Sequence, residues 1–274
     1  MTKIEWTEAT WNPFVGCEIR SAGCKNCYAM LMAWRQANMQ TKHYQGLTKV
    51  VNGKPVWTGR LNRSPDTVFR KPLSVRKPTM WFVNSMSDFW HENADREWQR
   101  DALAIMDETP WHTYQLLTKR PEYIQAHLDE LGRGLPGNVW LGATVEDHRV
   151  VDRIGVLRRV EATVRFLSVE PMTAPLGQVD LQGIHWVITG GESGHGARPC
   201  DPDWVREVRD QCIEQGVAFF HKQWGRPSNN PLAGGRTGKA LADYIKRVDP
   251  HGKGGALLDG RLWREYPSAG VLAA

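Results

Sequence analysis

A chain of 274 residues, 41% of them hydrophobic, is long enough to bury one substantial core, and a single domain over residues 1–274 is expected. A net charge of +5 and an isoelectric point near 9.0 allow a polyanionic partner without requiring one. No apolar run reaches membrane-spanning length, and Met1–Trp6 leads into polar sequence without a secretory leader. A cytoplasmic location is therefore expected, with the five cysteines read as metal or redox ligands before disulfides.

In chain order, a strand is expected around Ala9–Asn12, then a loop holding Cys17, Cys24 and Cys27, then a helix from Tyr28 to about Gln40. Residues 41–78 form an insert with nine Lys or Arg against one acid, Asp66; Tyr44, Trp57 and Phe69 are interleaved with them. Cations that neutralise phosphates and rings that stack on bases make this a candidate DNA or RNA surface, with a solvated loop as the alternative. Most of the 13 tryptophans are expected in the core, with some free to stack on bases.

From Thr79 onward, short apolar runs alternate with amphipathic stretches. The runs Met80–Val83, Tyr114–Leu117, Val139–Ala143, Val164–Leu167, Trp186–Thr189 and Val217–Phe220 read as buried parallel strands. Helices are expected over Asp95–Asp107, Pro121–Leu131, Asp147–Val160 and Asp203–Gln215, and a loop crossover over Glu170–Gly183. Such repeats imply an α/β fold: a partial or closed (β/α) TIM-like barrel, with a doubly wound sheet as runner-up. No GxGxxG or GxxxxGK[ST] follows a strand, which disfavours the nucleotide folds built on them. Residues 225–274 form a Gly-rich, basic extension packed on the barrel, with a short helix at Ala240–Val248 and a hairpin over Leu257–Trp263.

Every strand ends in polar groups, on the face where barrel enzymes place their active sites. Asn84, Ser85 and Asp88 follow one strand, Lys119 and Arg120 the next, then Thr144 and Glu146, Glu170, Glu192, and Lys222. Loops are polar in any case, but repetition at six strand ends favours a site. Mixed acids and bases there suit a zwitterionic, hydroxyl-rich ligand.

Three thiolates are one short of the full shell of structural zinc or an ordinary iron–sulfur cluster. The spacing Cys17-x6-Cys24-x2-Cys27 fits a cluster with one open iron. It also fits zinc completed by His43 or His91, or cysteines that bind nothing. Cys200 and Cys212 read as buried thiols.

The stretch Asn12-Pro13-Phe14-Val15-Gly16-Cys17 … Cys24-Lys25-Asn26-Cys27-Tyr28-Ala29 resembles the cluster loop of radical S-adenosylmethionine enzymes, in particular the group around spore photoproduct lyase. Three more residues lie between the first two cysteines here than in that group's loop. Over nearly its whole length the chain resembles a phage- and prophage-associated family of uncharacterised three-cysteine-motif proteins. The segments that carry this are Phe82–Asp88, Leu117–Pro121, Leu141–Glu146, Ser168–Pro171 and Thr189–Gly194.

The resemblance to radical enzymes implies that Cys17, Cys24 and Cys27 hold a [4Fe–4S] cluster whose open iron chelates S-adenosyl-L-methionine, with an external electron donor. One-electron cleavage would then give a 5′-deoxyadenosyl radical that takes hydrogen from the substrate. It implies Asn84, Ser85 and Asp88 for the methionine end, Thr144 and Glu146 for the ribose, and Glu170, Lys222 or His195 facing the substrate. The cofactor-binding Gly-Gly-Glu of those enzymes follows their second strand. Gly190-Gly191-Glu192 follows a later one, so Glu192 enters the cofactor-facing set as a strand-end acid alone. The expected function is a radical S-adenosylmethionine-type enzyme acting on nucleic acid or a nucleotide-derived substrate, with a partner protein implied by the phage family. The alternatives are a non-catalytic nucleic-acid-binding protein with a structural metal site, and a hydrolase or lyase using the carboxylates.

Overall fold

The computed structural model describes residues 4–268. The chain forms two compact units, one running to Ala143 with Arg159–Thr163, the other taking Thr144–Arg158 and everything from Val164.

The first unit opens with β1 (Ala9–Trp11), β2 (Phe14–Val15) and helix α1 (Tyr28–Asn38). The insert that follows has more structure than a loop. Strands β3 (Thr48–Val51) and β4 (Lys54–Trp57) form a hairpin across Asn52-Gly53, both at positive φ, as a two-residue hairpin turn requires. Strand β5 (Asn62–Arg63) pairs antiparallel with β2, and two single-turn helices follow, α2 (Asp66–Phe69) and α3 (Lys71–Ser74).

The parallel strands are β1, β6 (Met80–Val83), β7 (Thr113–Thr118) and β8 (Val139–Thr144), each hydrogen-bonded to the next. Helix α4 (Arg96–Glu108) starts where the Asp95 carboxylate accepts the Glu97 N–H at 2.8 Å, and buries Ala102, Leu103, Ile105 and Met106. Helix α5 (Ile124–Leu131) ends at Gly132, whose φ of 64° closes it in the left-handed conformation. The core beneath is aromatic: Trp11, Phe14, Phe69, Phe89, Trp90 and Tyr114 are all buried. The Trp11 indole N–H is satisfied by the Val68 and Phe69 carbonyls, both at 3.1 Å.

In the second unit the expected helix over Asp147–Val160 begins late. The Asp147 carboxylate is taken up by the Arg149 amide and guanidinium and by the Thr173 hydroxyl. The backbone is therefore extended there, and only a 3-10 turn and the shorter α6 (Asp152–Arg158) follow. Strands β9 (Val164–Val169), β10 (Trp186–Gly190) and β11 (Ala218–Gln223) are parallel and in order, and the step from Glu170 to Gly183 has no helix. Helix α7 (Pro202–Glu214) is capped by Asp201, with Pro202 in its first turn.

The C-terminal extension carries α8 (Gly238–Val248) and a hairpin of β12 (Leu257–Leu258) and β13 (Arg261–Leu262). The extension runs back along β11: His221 N–H donates to the Trp263 carbonyl and Glu265 N–H to that of Phe219. The last six residues of the extension lie outside those described.

The architecture is mixed α/β. Within each unit, neighbours in the sheet are neighbours in the chain, the order of a partial (β/α) barrel and not the reversal of a doubly wound sheet. Among the described residues no helix is long and apolar enough to cross a membrane.

Candidate metal centre

Gly16 fixes the start of the cysteine loop. Its N–H donates to the Met86 carbonyl at 3.0 Å, and its carbonyl accepts the Ser87 hydroxyl at 2.6 Å. With φ at 106° and the Arg60 carbonyl against its Cα, no other residue fits there. The Gly59 N–H reaches the Cys17 carbonyl at 3.2 Å, so the insert supports the loop from the other side. Cys24 closes a 3-10 turn and Cys27 caps α1. None of the three thiols is in a disulfide.

The thiols feel one another's charge. Burial, Asp88 and the other two sulfurs push Cys17 up to about 12, while Arg120 pulls it back. Cys27 is raised by burial against the pull of the Ala29 and Met30 amides. Cys17 and Cys27, whose burial resists ionisation, are thiols that a cationic centre would stabilise as thiolates. The metal-ligating groups within 4.8 Å of one another, among the described residues, are instead Glu18, His91 and Glu92. That trio is served by a guanidinium, since Arg120 Nε donates to Glu92 at 2.6 Å, and His91 Nδ1 accepts the Asn93 N–H. His91 Nδ1 is thus spent on a backbone N–H while its Nε2 is buried without a partner, and His43 lies against Tyr44 on the insert. The structure gives neither histidine to the thiols. The three thiols do not all lie within 4.8 Å of one another.

Arg120 joins the strand-end residues to this loop. It is 1% exposed and spreads its fork over Glu92, Asp88 (3.3 Å), the Glu18 carbonyl (3.4 Å) and the Cys17 sulfur (3.9 Å). Asp88 also accepts the Thr118 hydroxyl at 2.6 Å and the amides of Lys119 and Trp90. Through these bonds Asp88 holds Arg120 in place. Ser85 donates to Asn12 Oδ1 and accepts the Tyr28 hydroxyl on its carbonyl.

Asn84 differs from both. It sits at a φ of 58°, is 2% exposed, and neither its amide nitrogen nor its oxygen has a partner. A buried carboxamide in that state costs stability and is what a ligand-facing group looks like before the ligand arrives. Free sulfurs, a fixed cation and an unspent carboxamide fit an iron–sulfur centre with a polar ligand beside it.

The second unit holds the other expected residues. Lys222 donates to both oxygens of Glu170, and Gln223 reaches Oε1 at 3.4 Å. Arg153 Nη1 bridges the Thr144 carbonyl at 2.8 Å and Glu146 at 3.0 Å. Glu192 is buried and held by the Arg198 amide and both arms of its guanidinium. His195 lies exposed in the loop between Glu192 and Arg198. Cys200 and Cys212 are buried, as expected, and burial raises both to about 12.

In the insert, Trp57 and Phe69 are 6% and 1% exposed. They are core residues, which corrects the expectation that they stack on bases; Tyr44 is half-buried. Eight of the 13 tryptophans are buried, while Trp34 on α1 is exposed. Reading the sequence did not find Glu92 or Arg198, because neither belongs to a strand end or a periodic face.

Two solved structures are similar to the chain. A mutant spore photoproduct lyase with bound AdoMet and dinucleoside spore photoproduct matches at 12% identity and a TM-score of 0.41, over 87% of this chain and 59% of that one. The chain thus spans about three-fifths of that protein's length. Spore photoproduct lyase complexed with dinucleoside spore photoproduct matches at 13% identity and a TM-score of 0.39, over 88% of this chain and 73% of that one. No curated protein matches. Residues 1–267 match a family described as "Protein of unknown function (DUF5131)".

Proposed function

We propose, for a chain that belongs to the DUF5131 family of proteins of unknown function, an iron–sulfur-dependent, radical S-adenosylmethionine-type activity on nucleic acid or a nucleotide-derived substrate. One observation carries the reading. Three cysteines outside any disulfide stand on one loop, and a buried guanidinium donates to the sulfur of Cys17. The wording of the cysteine loop and the sequential parallel strands support it.

In this reading Cys17, Cys24 and Cys27 hold a [4Fe–4S] cluster, which supplies one-electron reductive cleavage of a sulfonium bound at its open iron. Asn84 offers one donor and one acceptor to the amino acid end of that ligand, with Ser85 beside it. Asp88 orients Arg120 and the Lys119 amide. Thr144 and Glu146 are joined through Arg153 inside the second unit. Inside the second unit Lys222 Nζ donates to Glu170 Oε1 at 2.7 Å, an ammonium and a carboxylate side by side. A polyanionic substrate is supported by the stretch between Glu18 and Asp66, which has eight Lys or Arg and no acid.

The test is anaerobic purification and reconstitution with iron and sulfide, followed by absorption and electron paramagnetic resonance spectra with and without S-adenosylmethionine. A reduced-cluster signal that shifts on adding the ligand, with 5′-deoxyadenosine formed, supports the reading. Stoichiometric zinc and no cluster would sink it. Single alanine replacements of Cys17, Cys24 and Cys27 should each abolish the signal. For the substrate, DNA or RNA binding should weaken steeply with salt, and binding indifferent to salt excludes a phosphate-neutralising surface.

A further inference from the structure

We infer that Arg120 is a positioning residue that sets the reduction potential of the centre held by Cys17, through its N–H···S hydrogen bond and its fixed charge. The inference rests on the reading that the three cysteines hold an iron–sulfur cluster, and it adds a group outside the ligand set.

The geometry is specific to a guanidinium. Nε is spent on Glu92, Nη1 lies between Asp88 and the Cys17 sulfur, and Nη2 reaches the Glu18 carbonyl one residue beyond Cys17. One rigid fork therefore ties the ligand loop to both carboxylates of the segment after β6. A lysine has the charge but not the planar set of donors. At 1% exposure the guanidinium is shielded from water and salt, so its charge acts on the sulfur with little screening.

At the sulfur its charge is opposed by that of Asp88, so the N–H···S hydrogen bond is what Arg120 adds there that no carboxylate offsets; Glu92 remains partly open to solvent, with 27% of its side chain exposed. Hydrogen bonds and positive charge at a ligating sulfur stabilise the reduced, more negative state of a cluster and raise its potential. Negative charge does the reverse. Arg120 and Glu92 thus act on one centre with opposite sign.

This opposition makes the test. Reconstituted wild type, R120Q, R120K and E92Q are titrated by anaerobic spectroelectrochemistry, with iron content measured on each. R120Q should lower the midpoint, so that the reduced-to-oxidised ratio at a fixed potential falls about tenfold, equivalent to 59 mV for one electron. R120K should fall by less, and E92Q should shift the other way. A role confined to folding would lower iron content in all variants and leave the midpoint of the loaded fraction in place.

R120Q strands two carboxylates; where it fails to fold, the signs of R120K and E92Q decide. Loaded variants with unmoved midpoints, or both shifted in one direction, overturn the inference alone. A wild-type chain that takes up no cluster overturns the underlying reading, and the inference with it.

Discussion

The ammonium of Lys222 sits against both carboxylate oxygens of Glu170, at 2.7 and 2.9 Å. The side chains are 15% and 18% exposed, between the surface pairs that contribute almost nothing and the buried ones whose rupture costs most. Replacing Lys222 with Met should cost about 1–2 kcal/mol by urea denaturation, and pairing it with E170Q should recover most of that loss. Additive losses in the double variant would mean the pair is not coupled.

Asn84 should behave in the opposite way. Glycine relieves both the left-handed backbone and the unpaired buried carboxamide. N84G should therefore unfold at an equal or higher denaturant concentration than wild type while binding S-adenosylmethionine at least tenfold more weakly in equilibrium dialysis. A variant that is less stable and binds normally would make Asn84 a structural residue.

Gly191 lies where a Cβ would collide with the Trp224 carbonyl. G191A should cost about 3 kcal/mol or prevent folding, because backbone cannot move aside as a side-chain tip can. Gly137 has open space around its Cβ position, and G137A should change stability by less than about 0.5 kcal/mol. Similar melting temperatures for the two would contradict this packing.

Stability should decline in mild acid. Burial lowers His127 to about 4 and His221 to about 3, so each stays neutral in the fold while its unfolded counterpart gains a proton below about 6.5. The unfolded state then binds more protons, and stability present above pH 6.5 is lost as pH falls toward those values. His127 Nδ1 faces Gln99 Nε2 at 3.0 Å. H127Q should flatten the fall in denaturation midpoint between pH 6.5 and 4.5; an unchanged slope would remove His127 from the account.

Legibility of the fold in the sequence tracks the range of the interactions. The runs at Met80–Val83 and Trp186–Thr189 declare their strands because both faces are buried, and Asp95 and Asp201 mark helix starts by short-range capping. The Asp259-Gly260 turn is readable in the sequence, and Asn52-Gly53 carries the same signal amid the charges of the insert. The site is less legible. Lys119 and Arg120 are adjacent and both cationic, yet only the folded arrangement sends the Arg120 fork to Cys17 and Glu92. Glu192 and His195 share a loop, but the guanidinium of Arg198 claims the first and leaves the second exposed.

The pairing of β2 with β5, and the Gly59 contact with Cys17, set an order of events during synthesis. The ligand loop leaves the ribosome well before residues 59–63, which complete its support. At ordinary elongation rates that interval lasts about 2 to 9 s. Until then Cys17 lacks the contact its carbonyl makes with Gly59 in the folded chain. Shortening the insert would therefore reach beyond any partner surface it carries, and leave the chain with its three sulfurs and no fixed place for the first.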